Sequence, residues 1–184
     1  TTQQDAIRAV RYLRYHAKEL NTLPDKIGMM GFSGGAMLTG WCATKFDQGN
    51  PEAADPVERC SSRPDAAVLC YGAGSWLPVS KGLLGYDRAR FAKFAEDAIE
   101  RNVTPACPPF FIWQCAGMDD PRNATQLTDV LTACGVPFEL HIFPYGAHGT
   151  ALSNEMHPSE SANDPHVARW VDLCCEWLRR YQHF

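Results

Sequence analysis

Four short apolar runs, each followed by enough chain for a crossover, predict an α/β fold with a mostly parallel sheet flanked by helices. The runs at 26–32, 66–71, 110–115 and 138–143 are rich in aromatic and aliphatic residues, as buried strands are. Helix-period patterns lie between and beside them. The first run also stops abruptly at Gly31-Phe32-Ser33-Gly34-Gly35 and passes straight into helix-compatible sequence, a strand–turn–helix junction.

In chain order, Ala6, Val10, Leu13, Ala17 and Leu20 recur at spacings of four and three, predicting an amphipathic helix over 5–20 with Arg8, Arg11, Arg14 and Lys18 off the apolar stripe. Residues 21–25 form a turn, 26–32 the first strand and 34–46 a helix, and 47–65 is a polar surface loop. The second strand, 66–71, ends at Gly72-Ala73-Gly74. Residues 72–109 read as an insertion that forms a lid, a pocket wall or a plain packing helix, with Phe91, Phe94, Ala95, Ala98 and Ile99 on one face. The third strand, 110–115, leads through Asp119-Asp120-Pro121 into a helix bearing Leu127, Val130, Leu131 and Cys134 and closed by Gly135. The fourth strand, 138–143, ends in Pro144-Tyr145-Gly146-Ala147-His148-Gly149. Val167, Trp170, Val171, Cys174, Trp177, Leu178 and Tyr181 then mark the last helix.

At 184 residues the chain is one domain, 1–184, with ordinary contents of 45% hydrophobic and 21% charged residues. A net charge of −4, with no basic cluster beyond Arg179-Arg180, argues against nucleic acid or an acidic membrane surface as partner. No run approaches the roughly 18 apolar residues that span a bilayer. The eight cysteines include no C-x-x-C pair and several fall in apolar runs, so they read as buried thiols in a reducing, cytoplasmic setting. A Cys60–Cys107 bridge is the one pairing left open. The segment Thr1-Thr2-Gln3-Gln4 carries no signal peptide. No histidine pair has helical metal-ligand spacing, so neither metal nor cofactor is expected.

Sites in parallel sheets form beyond the carboxyl ends of the strands. Ser33 follows the first strand, Asp119 and Asp120 the third, and His148 the fourth, so a nucleophile, an acid and a base share one edge. A serine hydroxyl needs a neighbour to take its proton, an imidazole does so near neutral pH, and a carboxylate orients the imidazole. Gly31 and Gly35 flank the turn, where a Cβ would crowd strand and helix. The helix after Ser33 aims its N–H groups, Gly34 first, at the place where an oxyanion would form. Tyr71, Trp76 and Tyr145 follow strand ends and are candidate pocket residues or aromatic core. His141 reads as packing beside the sheet, and His16, His157, His166 and His183 as surface residues.

The G-x-S-x-G turn, the stretch from Phe111 through Asp119-Asp120-Pro121, and Gly135 to Phe143 followed by Gly146-Ala147-His148-Gly149 together resemble an α/β-hydrolase. The likeness is to the esterase/lipase and dienelactone-hydrolase-like kind, near acetyl-xylan and feruloyl esterases, and covers about residue 5 to the end. The resemblance implies a serine esterase with Ser33 as nucleophile and His148 as base. The family's Gly-x-x-Asp spacing from Gly117 selects Asp120 as the acid, which leaves Asp119 to cap the next helix. It further implies a small-molecule or carbohydrate ester substrate, with short acyl groups such as acetyl. A prolyl-oligopeptidase-like peptidase and a non-catalytic binding module are the rival readings. About 25 residues precede the nucleophile strand, where the family places further strands and an HGGG-type oxyanion loop. The expectation is therefore a missing N-terminal segment or a second chain that completes the sheet and supplies the second oxyanion donor.

Overall fold

In the computed structural model, which describes residues 1–74, 96–157, 159 and 162–184, four strands form a single sheet in sequential order. They are β1 (Gly28–Phe32), β2 (Ala66–Cys70), β3 (Phe110–Cys115) and β4 (Phe138–Phe143), and all three neighbouring pairs are parallel. The fold class is the one the alternating pattern requires. Every residue of β2 and β3 is buried, because both faces of these central strands are covered. Trp113, Phe110, Phe111, Leu69 and Ile112 are wholly enclosed, each contributing about 1.5–3 kcal/mol of apolar burial.

Two cores separate by strand parity. Ala67, Leu69, Phe110 and Ile112 face one side and pack with Ala36 and Ala43 of α2 (Gly34–Thr44) and Leu127 and Leu131 of α3 (Arg122–Ala133). Val68, Cys70, Phe111 and Trp113 face the other side and meet Val167 of the short α4 (Pro165–Ala168) and Trp170, Cys174 and Trp177 of α5 (Trp170–Tyr181). The last helix of the sequence reading is thus two, with Arg169 between them.

The first helix, α1 (Thr2–Tyr15), begins and ends earlier than its stripe suggests, because Thr1 and Gln4 close a capping box at its start. Leu13 and Leu20 are exposed, and the arginines do the fastening. Arg8 pairs with Asp55 and Glu58, and Arg11 with Asp47 and Glu58. Arg14 donates to the carbonyls of Pro24, Ser61 and Arg63 and to Asp65. Side chains spaced by three residues thereby tie α1 to the 47–65 loop, within which Pro56–Arg59 forms a 3₁₀ turn.

All eight cysteines are free thiols, so the Cys60–Cys107 bridge is not formed. Among the described residues no helix is long and apolar enough to cross a membrane. Trp76, Phe91, Phe94 and Ala95, with most of the 72–109 insertion, lie outside the described residues.

Candidate active site

The site begins at the junction of β1 and α2. Ser33 holds φ 53 and ψ −120, a conformation that a residue with a Cβ adopts only when its surroundings enforce it. Two neighbours enforce it. The Ser33 N–H donates to the Cys70 carbonyl at the end of β2 (2.9 Å), and the Ser33 carbonyl accepts from Ala36 N–H (2.9 Å) as α2 starts. A Cβ on Gly31 would lie 2.0 Å from the Gly35 carbonyl oxygen, and one on Gly72 would lie 2.2 Å from that of Ser33. The turn is therefore closed by backbone on two sides. Gly35 departs from the sequence reading, since an added Cβ there meets nothing within 4 Å. It is the Gly35 carbonyl, not its α-carbon, that crowds the turn.

Ser33 Oγ lies 2.8 Å from His148 Nε2, and His148 Nδ1 lies 2.8 Å from Asp119 Oδ1. An ionised carboxylate can only accept, so the imidazole proton resides on Nδ1 and leaves Nε2 to accept from the serine hydroxyl. Three strand ends supply the three groups, and chain order Ser…Asp…His follows from strand order.

The acid is where sequence and structure part. Asp120, selected by its spacing from Gly117, does not reach His148. Its carboxylate accepts the backbone N–H of Arg122 (3.0 Å) and the Arg122 Nε–H (2.9 Å), which hold it below the usual carboxylate range. Asp120 thus holds Arg122, the first residue of α3, whose N-cap is Pro121, and Asp119 takes the place beside the histidine. The Asp119 N–H returns to the Cys115 carbonyl (3.1 Å), and buried Gln114 donates to the Asp120 carbonyl (3.0 Å). With the peptide pinned on both sides, the Asp119 side chain turns inward and is 4% exposed, while that of Asp120 points to Arg122 and solvent. Burial raises the Asp119 carboxyl above its ordinary value, opposed by the hydrogen bond and charge of His148. Its Oδ2 is buried and accepts no hydrogen bond among the described residues.

Gly34 opens α2 and is exposed, and a first-turn N–H has no acceptor within its own helix. Tyr145 is 77% exposed on the loop between β4 and His148, a rim position. Tyr71, a candidate pocket residue, is instead nearly enclosed at 4% exposure, because Phe32, Trp113 and the His148 ring surround it. His141 lies beside the sheet, bonded to Glu139 (2.7 Å) and packed near the Phe111 ring. Among the described residues no group of three His, Cys, Asp or Glu is placed to hold a metal ion. Trp170, which sequence analysis assigned only to the helix core, donates its indole N–H to the Ala151 carbonyl (3.1 Å), three residues past His148. Nothing in a local pattern signals that contact.

A parallel sheet with a serine on a strained strand-to-helix turn, and a histidine and an aspartate at neighbouring strand ends, defines the α/β-hydrolase fold. The chain presents a partial version of that fold, and the solved structures it resembles are hydrolases. It is 36% identical to an acetyl ester-xyloside bifunctional hydrolase from Caldicellulosiruptor lactoaceticus, with a TM-score of 0.81 over 96% of this chain and 64% of that one. A sugar hydrolase from Lactococcus lactis matches at 27% identity and a TM-score of 0.77, over 97% of this chain and 67% of its own. A curated relative, endo-1,4-beta-xylanase B of Butyrivibrio fibrisolvens, is 32% identical over 162 residues, 83% of this chain and 25% of the relative. The chain thus spans a quarter of that xylanase and about two thirds of the structural relatives. No family model matches the sequence.

Proposed function

We propose that the protein is a carboxylic ester hydrolase that works through an acyl-enzyme on Ser33, with His148 as general base and acid and Asp119 as the orienting carboxylate. The observation that carries this reading is the continuous path Ser33 Oγ–His148 Nε2, His148 Nδ1–Asp119 Oδ1, with 2.8 Å at each step. Ser33 Oγ attacks the ester carbonyl carbon as its proton passes to His148 Nε2. The carbonyl oxygen becomes an oxyanion facing the Gly34 N–H at the positive end of α2. Collapse of the tetrahedral species breaks the carbon–alkoxy bond, and His148 returns the proton to the departing alcohol. Water, deprotonated by the same imidazole, then attacks the acyl-enzyme and frees the acid.

A short acyl group on a carbohydrate is the substrate class this reading favours. One structural relative is named as an acetyl ester-xyloside hydrolase, another as a sugar hydrolase, and the curated relative as a xylanase. The test is p-nitrophenyl acetate turnover together with labelling by a fluorophosphonate probe, in the wild type and in Ser33→Ala. Turnover and labelling that both vanish in Ser33→Ala are expected. Absence of both from the wild type, or labelling that survives in Ser33→Ala, would overturn the assignment.

A further inference from the structure

We propose that Tyr71 and Trp170 are positioning residues for His148, acting through the backbone of Ala151; this rests on the hydrolase reading above. The segment after His148 leaves ordinary backbone space at once. Gly149 has φ 83, and Ala151 has φ 49 although it carries a Cβ. Such a conformation persists only where neighbours impose it. Both ends of the Ala151 unit are taken up by aromatic side chains, its N–H by the Tyr71 hydroxyl (3.2 Å) and its carbonyl by the Trp170 indole N–H (3.1 Å).

These two aromatics are themselves fixed. Tyr71 follows β2 with φ 42, and its N–H donates to the Trp113 carbonyl (2.7 Å). Trp170 stacks on Trp113, with ring centroids 5.0 Å apart and planes 19° from parallel. The Tyr71 ring also meets the His148 imidazole nearly edge-on, at 5.2 Å and 71°. One tyrosine thus walls the imidazole with its ring and ties down the following loop with its hydroxyl. Trp170, in the same apolar cluster, supplies the second tie from α5. The imidazole is held by Asp119 at Nδ1, so rotation of the ring as a whole is what this clamp resists.

The test uses Tyr71→Phe, Trp170→Phe and the double variant in the full-length protein, and reads kcat, KM, Tm and the His148 imidazole proton resonances. Tyr71→Phe keeps the ring and removes one hydrogen bond, whereas Trp170→Phe removes one hydrogen bond and part of the ring stacked on Trp113, a packing loss that Tm reads separately. Each is expected to lower kcat roughly ten- to a hundredfold with KM within about twofold, the size of effect that a small misplacement of a catalytic group produces. Because both residues hold the backbone of one residue, Ala151, the double variant is expected to fall short of the product of the two losses. The His148 resonances are expected to move and broaden in each variant. An active wild type whose two variants keep kcat overturns the clamp and leaves the hydrolase reading intact. A wild type with no Ser33-dependent turnover overturns the hydrolase reading, and the imidazole resonances then decide the clamp alone: unchanged signals in both variants refute it.

Discussion

Replacing Asp119 by asparagine separates the two adjacent carboxylates by their chemistry. Asp119 Oδ1 sits 2.8 Å from His148 Nδ1 on a side chain that is 4% exposed, so water cannot substitute for it. As a carboxylate it only accepts, and it fixes the imidazole proton on Nδ1. An amide can donate to Nδ1 instead, which puts the ring proton on Nε2 and confronts Ser33 Oγ with a donor. The imidazolium formed during attack also loses its counter-charge. Loss of the correct tautomer in this type of site costs about 10⁴ in kcat, equivalent to about 5 kcal/mol in the barrier. Asp120→Asn breaks a surface contact with Arg122, and its kcat is expected to stay within about fivefold of wild type. Stability should move the other way. The folded Asp119 carboxyl titrates above its unfolded value, so its favourable contribution is full at acid pH. That contribution is lost as pH rises from the unfolded value through the raised folded one. Asparagine carries no such loss, so above that window Asp119→Asn is expected to melt no lower than wild type. The assays are p-nitrophenyl acetate kinetics and thermal melting of the two variants in parallel. A loss in Asp120→Asn as large as in Asp119→Asn, or an Asp119→Asn enzyme within tenfold of wild type, would refute the assignment.

Two further outcomes are expected. Gly31→Ala places a methyl 2.0 Å from the Gly35 carbonyl oxygen and 2.6 Å from Thr39 Oγ1, and backbone cannot yield that far. A loss of roughly 3 kcal/mol or more in urea unfolding, with no Ser33-directed labelling, is expected, whereas Gly35→Ala, whose methyl meets nothing within 4 Å, should keep both. Burial pushes the Cys42 and Cys115 thiols up to about 11 and those of Cys70 and Cys174 up to about 12. Iodoacetamide at pH 8 should leave these four unmodified in the native protein, while all eight react in guanidinium; mass spectrometry counts them.

The strands were legible because parallel-sheet interiors demand unbroken apolar runs. Phe110–Cys115 and Phe138–Phe143 coincide with their sequence spans, and β2 is one residue shorter. That residue is Tyr71, whose positive φ takes it out of the sheet, a backbone choice that no propensity of tyrosine announces. The first helix was legible as a helix and only in part in its contacts, since Val10 and Ala17 of its stripe are buried while Leu13 and Leu20 are exposed. Its apolar stripe pointed to one buried face, yet Arg8, Arg11 and Arg14 make the long-range contacts, because the partner loop offers carboxylates and carbonyls in place of apolar surface.

The candidate site shows the same division more sharply. Ser33 and His148 could be placed from sequence because strand ends fix them: a serine on a glycine-bounded turn and a histidine in a post-strand loop have little freedom to lie elsewhere. The acid is different, since Asp119 and Asp120 follow the same strand and carry the same chemistry. Their roles are divided by where two peptides are pinned, one through the Asp119 N–H to Cys115 and one through the Gln114 amide to the Asp120 carbonyl. Arg122 then captures the outward carboxylate. A spacing rule counts residues from Gly117 and is blind to those contacts. The residue to inspect was two positions beyond Asp120: a neighbouring guanidinium draws an exposed carboxylate to the surface and leaves the buried place to its neighbour.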